Sequence, residues 1–191
     1  SGSGEQEQEA ELDRQIKQAI SEIDMTDFTS PQIVSQLANL GVTVSCENIR
    51  QIDNTTITCD LVFRHRNGNT RTFPISAECQ YSIFDPQDFD GQLIGNFDLQ
   101  WGGISLVDPQ RIAISTLQQM QFFWADTLED TGLVLDTSGF MGDYYLLGAT
   151  YSPDFGIVVP VYANDTDGFA FYREDGALQE LVPFGSSPYK Q

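Results

Sequence analysis

The sequence predicts an α+β fold: antiparallel β-meanders with a long amphipathic helix, about residues 109–131, packed on a sheet. Three observations support it. Between Asp108-Pro109 and Gly132, the residues Ala113, Leu117, Met120, Trp124 and Leu128 recur at helical spacing, and Phe123 widens the face. Asp108 suits a helix cap, Pro109 the first turn and Gly132 the left-handed stop. On either side of this segment apolar and polar residues alternate with period two, as half-buried strands require. The chain also reads as two helix-then-meander halves, without residue-by-residue similarity between them.

In chain order, Ser1-Gly2-Ser3-Gly4 (1–4) has the composition of a linker or cloning scar. Residues 5–24 predict a helix with Leu12, Ile16, Ala19, Ile20 and Ile23 on one face. Its opening, Glu5 to Glu11, is polar all round, as in a frayed terminus or the stub of a stalk. Residues 25–107 predict a short helix and a meander. Ser30 is the cap, Pro31 starts the helix, Ile33, Val34 and Leu37 face inward, and Gly41 ends it.

Strands follow at Val42 to Cys46, Ile57 to Phe63 and Phe73 to Tyr81, joined at Asp53-Asn54 and Asn67-Gly68-Asn69. Residues 108–185 predict the long helix and a second meander, forming one compact unit with 25–107. Its strands are expected at 133–136, 144–151, 157–162, 169–173 and 178–182. Pro160 marks one of them as an edge strand or a bulge, and 186–191 are a polar tail. In element order alone this plan resembles cystatin-like and secretion-chaperone-like folds, which implies nothing about function.

A chain of 191 residues, 40% apolar and with 13 Phe, 7 Tyr and 2 Trp, has enough to bury a core. No apolar run reaches the roughly 20 residues that span a bilayer. The net charge of −19 comes from 28 acidic residues against 9 basic ones. Such a field repels nucleic-acid phosphates and anionic membranes, and attracts cations and basic proteins. The sequence therefore predicts no nucleic-acid binding and no direct membrane insertion.

Candidate chemistry is sparse. His65, the single histidine, lies between Arg64 and Arg66 with no adjacent carboxylate to orient it, so a Ser-His-Asp arrangement has no basis. Leu135-Asp136-Thr137-Ser138-Gly139 departs from the Asp-Thr-Gly signature of aspartic proteases by a glycine one position late. Asp88-Phe89-Asp90-Gly91 and Asp165-Thr166-Asp167-Gly168 both have the Asp-x-Asp-Gly core of a calcium loop, and Glu174 falls where a closing ligand would stand after the second. Asp-Gly is equally good turn chemistry.

Cys46, Cys59 and Cys79 form no CxxC pair. Cys46 and Cys59 are the pair expected to bond, with buried free thiols as the alternative. Arg50, Arg64, Arg66 and Arg71, four of the nine basic residues, could dock an acidic partner or pair with the chain's own carboxylates.

The function these readings predict is a non-catalytic acidic binding or structural module, extracytoplasmic or membrane-anchored, acting through protein–protein contacts. It is expected to need no cofactor, calcium being the one ion its Asp-x-Asp-Gly loops could take. The alternatives are an intracellular acidic inhibitor, immunity protein or chaperone that neutralises a basic partner, and a hydrolase using carboxylates.

Overall fold

A computed structural model describes residues 2–22, 29–53, 56–78, 98–99, 103–116 and 118–184. Among these lie two helices, α1 (Gly2–Ser21) and α2 (Pro31–Asn39), and twelve strands in three antiparallel sheets. The protein is mostly β, and the helix expected over 109–131 does not form. Its place is taken by β6 (Arg111–Ser115) and β7 (Met120–Trp124), which join the preceding β5 (Gly103–Asp108) in an antiparallel sheet in the order β5-β6-β7. With that helix gone, the helix-then-meander plan and its likeness in element order fall too.

The reason for this correction is burial on both faces. Ile112 pairs with Phe123, and Ala113 with Phe122. All four are fully buried, yet neighbours along a strand point to opposite sides. Phe123 packs edge-on against Phe63, ring centroids 5.1 Å apart, whereas Ala113 and Phe122 belong to the main core. A strand covered on both sides reads as a continuous apolar run, which periodicity alone does not distinguish from a helix.

The supposed cap is a hairpin turn. Asp108 Oδ1 accepts from Gln110 N at 2.9 Å and Asp108 Oδ2 from Arg111 Nε at 2.8 Å, with Pro109 at the second turn position. Asp and Pro open helices and β-turns by the same local chemistry. Gly132 does have positive φ, +80°, but in a loop.

The chain divides into two compact units. One comprises Ser1–Phe28, Val44–Val62 and Thr72–Gln100, the other Thr29–Thr43, Phe63–Arg71 and Trp101–Gln191. The first holds α1, which begins at Gly2 within the stretch that reads as a linker and carries the exposed pairs Glu11–Arg14 and Asp13–Lys17. It also holds most of the sheet β1 (Val42–Gln51), β2 (Thr56–His65), β3 (Thr70–Glu78) and β4 (Asp98–Leu99), in the order β1-β2-β3-β4. Ile57, Cys59 and Leu61 line one buried face of β2, and Phe73 and Ile75 are buried on β3, as the alternation predicts.

The second unit opens with α2, whose capping follows expectation. Ser30 Oγ accepts from Ile33 N at 3.3 Å, Pro31 starts the helix, and Leu37 is buried. Its other sheet joins β8 (Tyr145–Leu146), β9 (Thr150–Ser152), β10 (Gly156–Ala163), β11 (Thr166–Tyr172) and β12 (Leu178–Pro183), in the order β12-β11-β10-β8 with β9 also on β10. Residues 133–136, expected to be a strand, are a loop.

Pro160 sits in β10, an interior strand rather than an edge. Its carbonyl accepts from Leu147 N at 2.9 Å, and its missing N–H ends the β8 pairing there, in the gap between the residues that pair with β8 and those that pair with β9. Ile157, Val159, Val161, Ala163, Ala170, Tyr172 and Leu146 point from this sheet into the core, joined by Val107, Ala113, Met120 and Phe122 from the three-stranded sheet.

Candidate protein-interaction surface

The opposite face of the β8–β12 sheet is apolar as well. Register sets the side chains in three rows across the strands. Tyr145, Tyr162 and Asp167 form the first. Leu147, Pro160, Phe169 and Val182 form the second. Thr150, Val158, Phe171 and Glu180 form the third. Side chains directly opposite on antiparallel strands share a face, so these rows make one surface.

Aromatic contacts tie the rows together. Tyr145 stacks on Tyr162 with centroids 6.0 Å apart, and Phe169 meets Phe184 edge-on at 4.9 Å. Phe155, from the β9–β10 turn, packs on Phe171 at 5.8 Å. Phe155, Phe184, Leu147 and Phe169 remain 59%, 49%, 45% and 39% exposed. The usual second face of a solvated antiparallel sheet is polar; a contiguous apolar patch of this kind marks an interaction site.

Its charge is one-sided. Residues 141–184 carry seven carboxylates and a single base, Arg173, which lies 3.6 Å from Asp175. Asp167 and Glu180 stand within the rows themselves.

One calcium candidate lies at the β10–β11 turn. Asn164 and Asp165 have φ of +54° and +62° and close a two-residue hairpin between Ala163 and Thr166, the primed turn that matches strand twist. Asp167 lies on β11, and Glu174 lies beyond the far end of that strand, roughly 20 Å away by strand rise. The geometry does not bring Glu174 to Asp165 and Asp167. Among the described residues no three His, Cys, Asp or Glu side chains converge on a point where a metal would sit. Asp88 and Asp90 lie outside the described residues.

The four arginines differ in their surroundings. Arg71 is structural: its guanidinium donates to Leu128 O at 3.1 Å, lies 3.8 Å from Asp130 and sits 5.5 Å from the Phe123 ring centre. Arg66 runs under Gly41, where a Cβ would come within 2.8 Å of its Nε. Arg50, in the other unit, donates to Asn48 O at 2.9 Å and is 4.0 Å from Asp60. Arg64 is exposed at the end of β2.

Cys46 and Cys59 are reduced, one half-buried and one buried. They meet between β1 and β2, where a hydrogen bond from Cys46 holds the Cys59 thiol below its ordinary pKa. Cys79 lies outside the described residues. His65 Nδ1 accepts from Asn67 N at 3.1 Å, shaping the β2–β3 turn. Asp136 accepts from Ser138 N and Oγ at 2.9 and 2.6 Å, which lowers its pKa in a local turn.

Sequence reasoning passed over the outer face, although a signal for it was present. Ile157-Val158-Val159-Pro160-Val161-Tyr162 is apolar at both parities, which means a strand with two apolar faces. Comparison with family models, curated proteins and solved structures returned no match to the chain.

Proposed function

We propose that this chain is a non-catalytic acidic binding module whose second unit docks a basic protein through the outer face of the β8–β12 sheet. The observation that carries the reading is the set of three cross-strand rows, apolar at the centre and bearing only carboxylates among its charged groups. An apolar centre with a charged rim is the ordinary anatomy of a protein interface. The like charge on every copy works against self-pairing and favours a partner with lysines or arginines around an aromatic or aliphatic knob.

A display selection tests this. A random peptide library is panned on the wild-type chain after depletion on a Phe169→Thr/Phe184→Thr variant. The reading expects enriched sequences that combine Lys or Arg with large apolar residues, and binding that weakens several-fold between about 0.05 and 0.3 M salt. Enrichment of neutral or acidic sequences, or equal binding to the variant, would overturn it. A concentration-dependent dimer in sedimentation would point to a second copy as the occupant instead.

The same proposal puts the chain outside the cytoplasm. Support comes from the scarcity of lysine, with only Lys17 and Lys190 present, and from the neighbouring thiols of Cys46 and Cys59. If that is right, the two thiols close into a bond that survives a glutathione buffer of cytosolic poise, read by intact mass after thiol blocking. Three blockable thiols under those conditions would favour an intracellular acidic inhibitor.

A further inference from the structure

The second unit also holds a cavity of about 570 Å³ whose lining includes Leu40, Pro109, Trp124, Ala125, Asp126 and Glu129. None of these belongs to the sheet face described above. Trp124 is 39% exposed, although it stands on β7 beside fully buried Phe122 and Phe123.

The 125–129 loop that forms one wall is pinned from several sides. Ala125 N donates to Gln110 O at 2.8 Å, and Trp124 N to Glu129 O at 2.9 Å. Asn67 Nδ2 and Asn69 Nδ2 reach Asp126 O at 2.9 and 3.4 Å. Leu128, buried and non-glycine, is held at φ +61°, with its N–H on Trp124 O and its carbonyl taking the Arg71 guanidinium. A left-handed leucine costs of order 1 kcal/mol and persists only where its surroundings over-determine it. The wall is therefore pre-shaped, and pre-shaping lowers the cost of binding.

The lining combines an indole, the apolar sides of Leu40, Pro109 and Ala125, two carboxylate residues and, among the described residues, no cation. Arg111, the base nearest in sequence, turns its guanidinium to Asp108 at 2.8 Å and to the Tyr151 ring. An indole face attracts a cation, a carboxylate pairs with it, and apolar walls cover an alkyl stem. We infer that this cavity binds the cationic side chain of a lysine or arginine. The inference goes beyond the sheet-face reading and does not depend on it.

The test is an NMR titration of the Trp124 indole N–H, assigned with Trp124→Phe, using N-acetyl-arginine methylamide and N-acetyl-lysine methylamide as probes. N-acetyl-citrulline methylamide, the neutral isostere of the arginine probe, and the neutral sugar maltotriose are the comparisons. The expected result is a saturable shift with either cationic probe, with affinity at least about tenfold above that for citrulline. Glu129→Gln and Asp126→Asn each weaken the cationic probes several-fold and leave citrulline unchanged, with far-UV circular dichroism confirming that both variants fold. Equal binding of citrulline or maltotriose, or no saturable Trp124 shift up to about 50 mM probe, would overturn the inference. Peptide binding that is lost in Phe169→Thr/Phe184→Thr but kept in Glu129→Gln would separate failure of this site from failure of the sheet face.

Discussion

Phe169 meets Phe184 edge-on, ring centroids 4.9 Å apart, on the solvent side of a sheet whose other side is core. Such a pair is worth roughly 0.5–1.5 kcal/mol beyond its buried area, and both rings keep much of their surface in water. Threonine keeps strand propensity at Phe169, and Phe184 lies just past the end of β12, so the Phe169→Thr/Phe184→Thr variant should fold while losing about 2–4 kcal/mol in urea unfolding, the pair contribution plus part of the burial of both rings. Nile red, a neutral dye, should bind the wild type and fluoresce much less with the variant. Equal dye fluorescence in the two proteins would mean that the face is not the exposed apolar surface described here.

Arg71 ties the second unit together. Its bond to the Leu128 carbonyl and its seat over Phe123 predict that Arg71→Ala costs about 1.5–3 kcal/mol. Arg71→Lys should recover only part, because an ammonium lacks the planar fork. Chemical unfolding measures both, and a loss below about 0.5 kcal/mol for Arg71→Ala would return Arg71 to the pool of surface charges.

Gly176 turns between β11 and β12 at φ +90°, and a Cβ there would run into the Val134 carbonyl oxygen, backbone that has little room to yield. Gly176→Ala should therefore cost at least about 1–3 kcal/mol, seen as a lowered thermal midpoint. An unchanged midpoint would mean that the 133–136 loop is free to move away.

Tyr172 is fully buried, and its hydroxyl donates to Asp136 O at 3.0 Å. Burial, then the nearby Asp136 carboxylate, pushes its pKa well above the ordinary tyrosine value. The unfolded chain gives up this proton near pH 10 while the folded chain holds it. The contribution is thus complete below about pH 10 and is lost as pH rises through the folded value. Tyr172→Phe should cost about 0.5–1.5 kcal/mol at neutral pH and flatten the fall in stability above pH 10, measured by urea midpoints across that range. The same alkaline slope in both proteins would assign it to other groups.

The legible parts of this chain were those where one local rule and one buried face agree. Ser30-Pro31, Leu37 and Gly41 specify α2, and the period-two run Ile57-Cys59-Leu61-Phe63 specifies β2, because fully buried residues alternate with half-buried ones along it. The segment from Asp108 to Gly132 misleads for the opposite reason. Ile112 and Ala113, like Phe122 and Phe123, are neighbours buried on opposite sides, so tertiary cover erased the alternation that would have named them strands.

The outer face of β10 and β11 hid in the same way. Its residues are apolar in sequence, and only register shows that Pro160 and Phe169 point away from the core. The Trp124 cavity depends on contacts as distant in sequence as Asn67 to Asp126, which no short pattern records.

The most direct test of the central claim is where a selected basic peptide lands. With aromatic side chains of the chain labelled with ¹³C, titration of that peptide should move the signals of Tyr145, Phe155, Tyr162, Phe169 and Phe184 together and leave the buried Phe63, Phe122 and Phe123 in place. Shifts confined to other residues, with these five unmoved at saturation, would contradict a docking role for the outer face of the sheet.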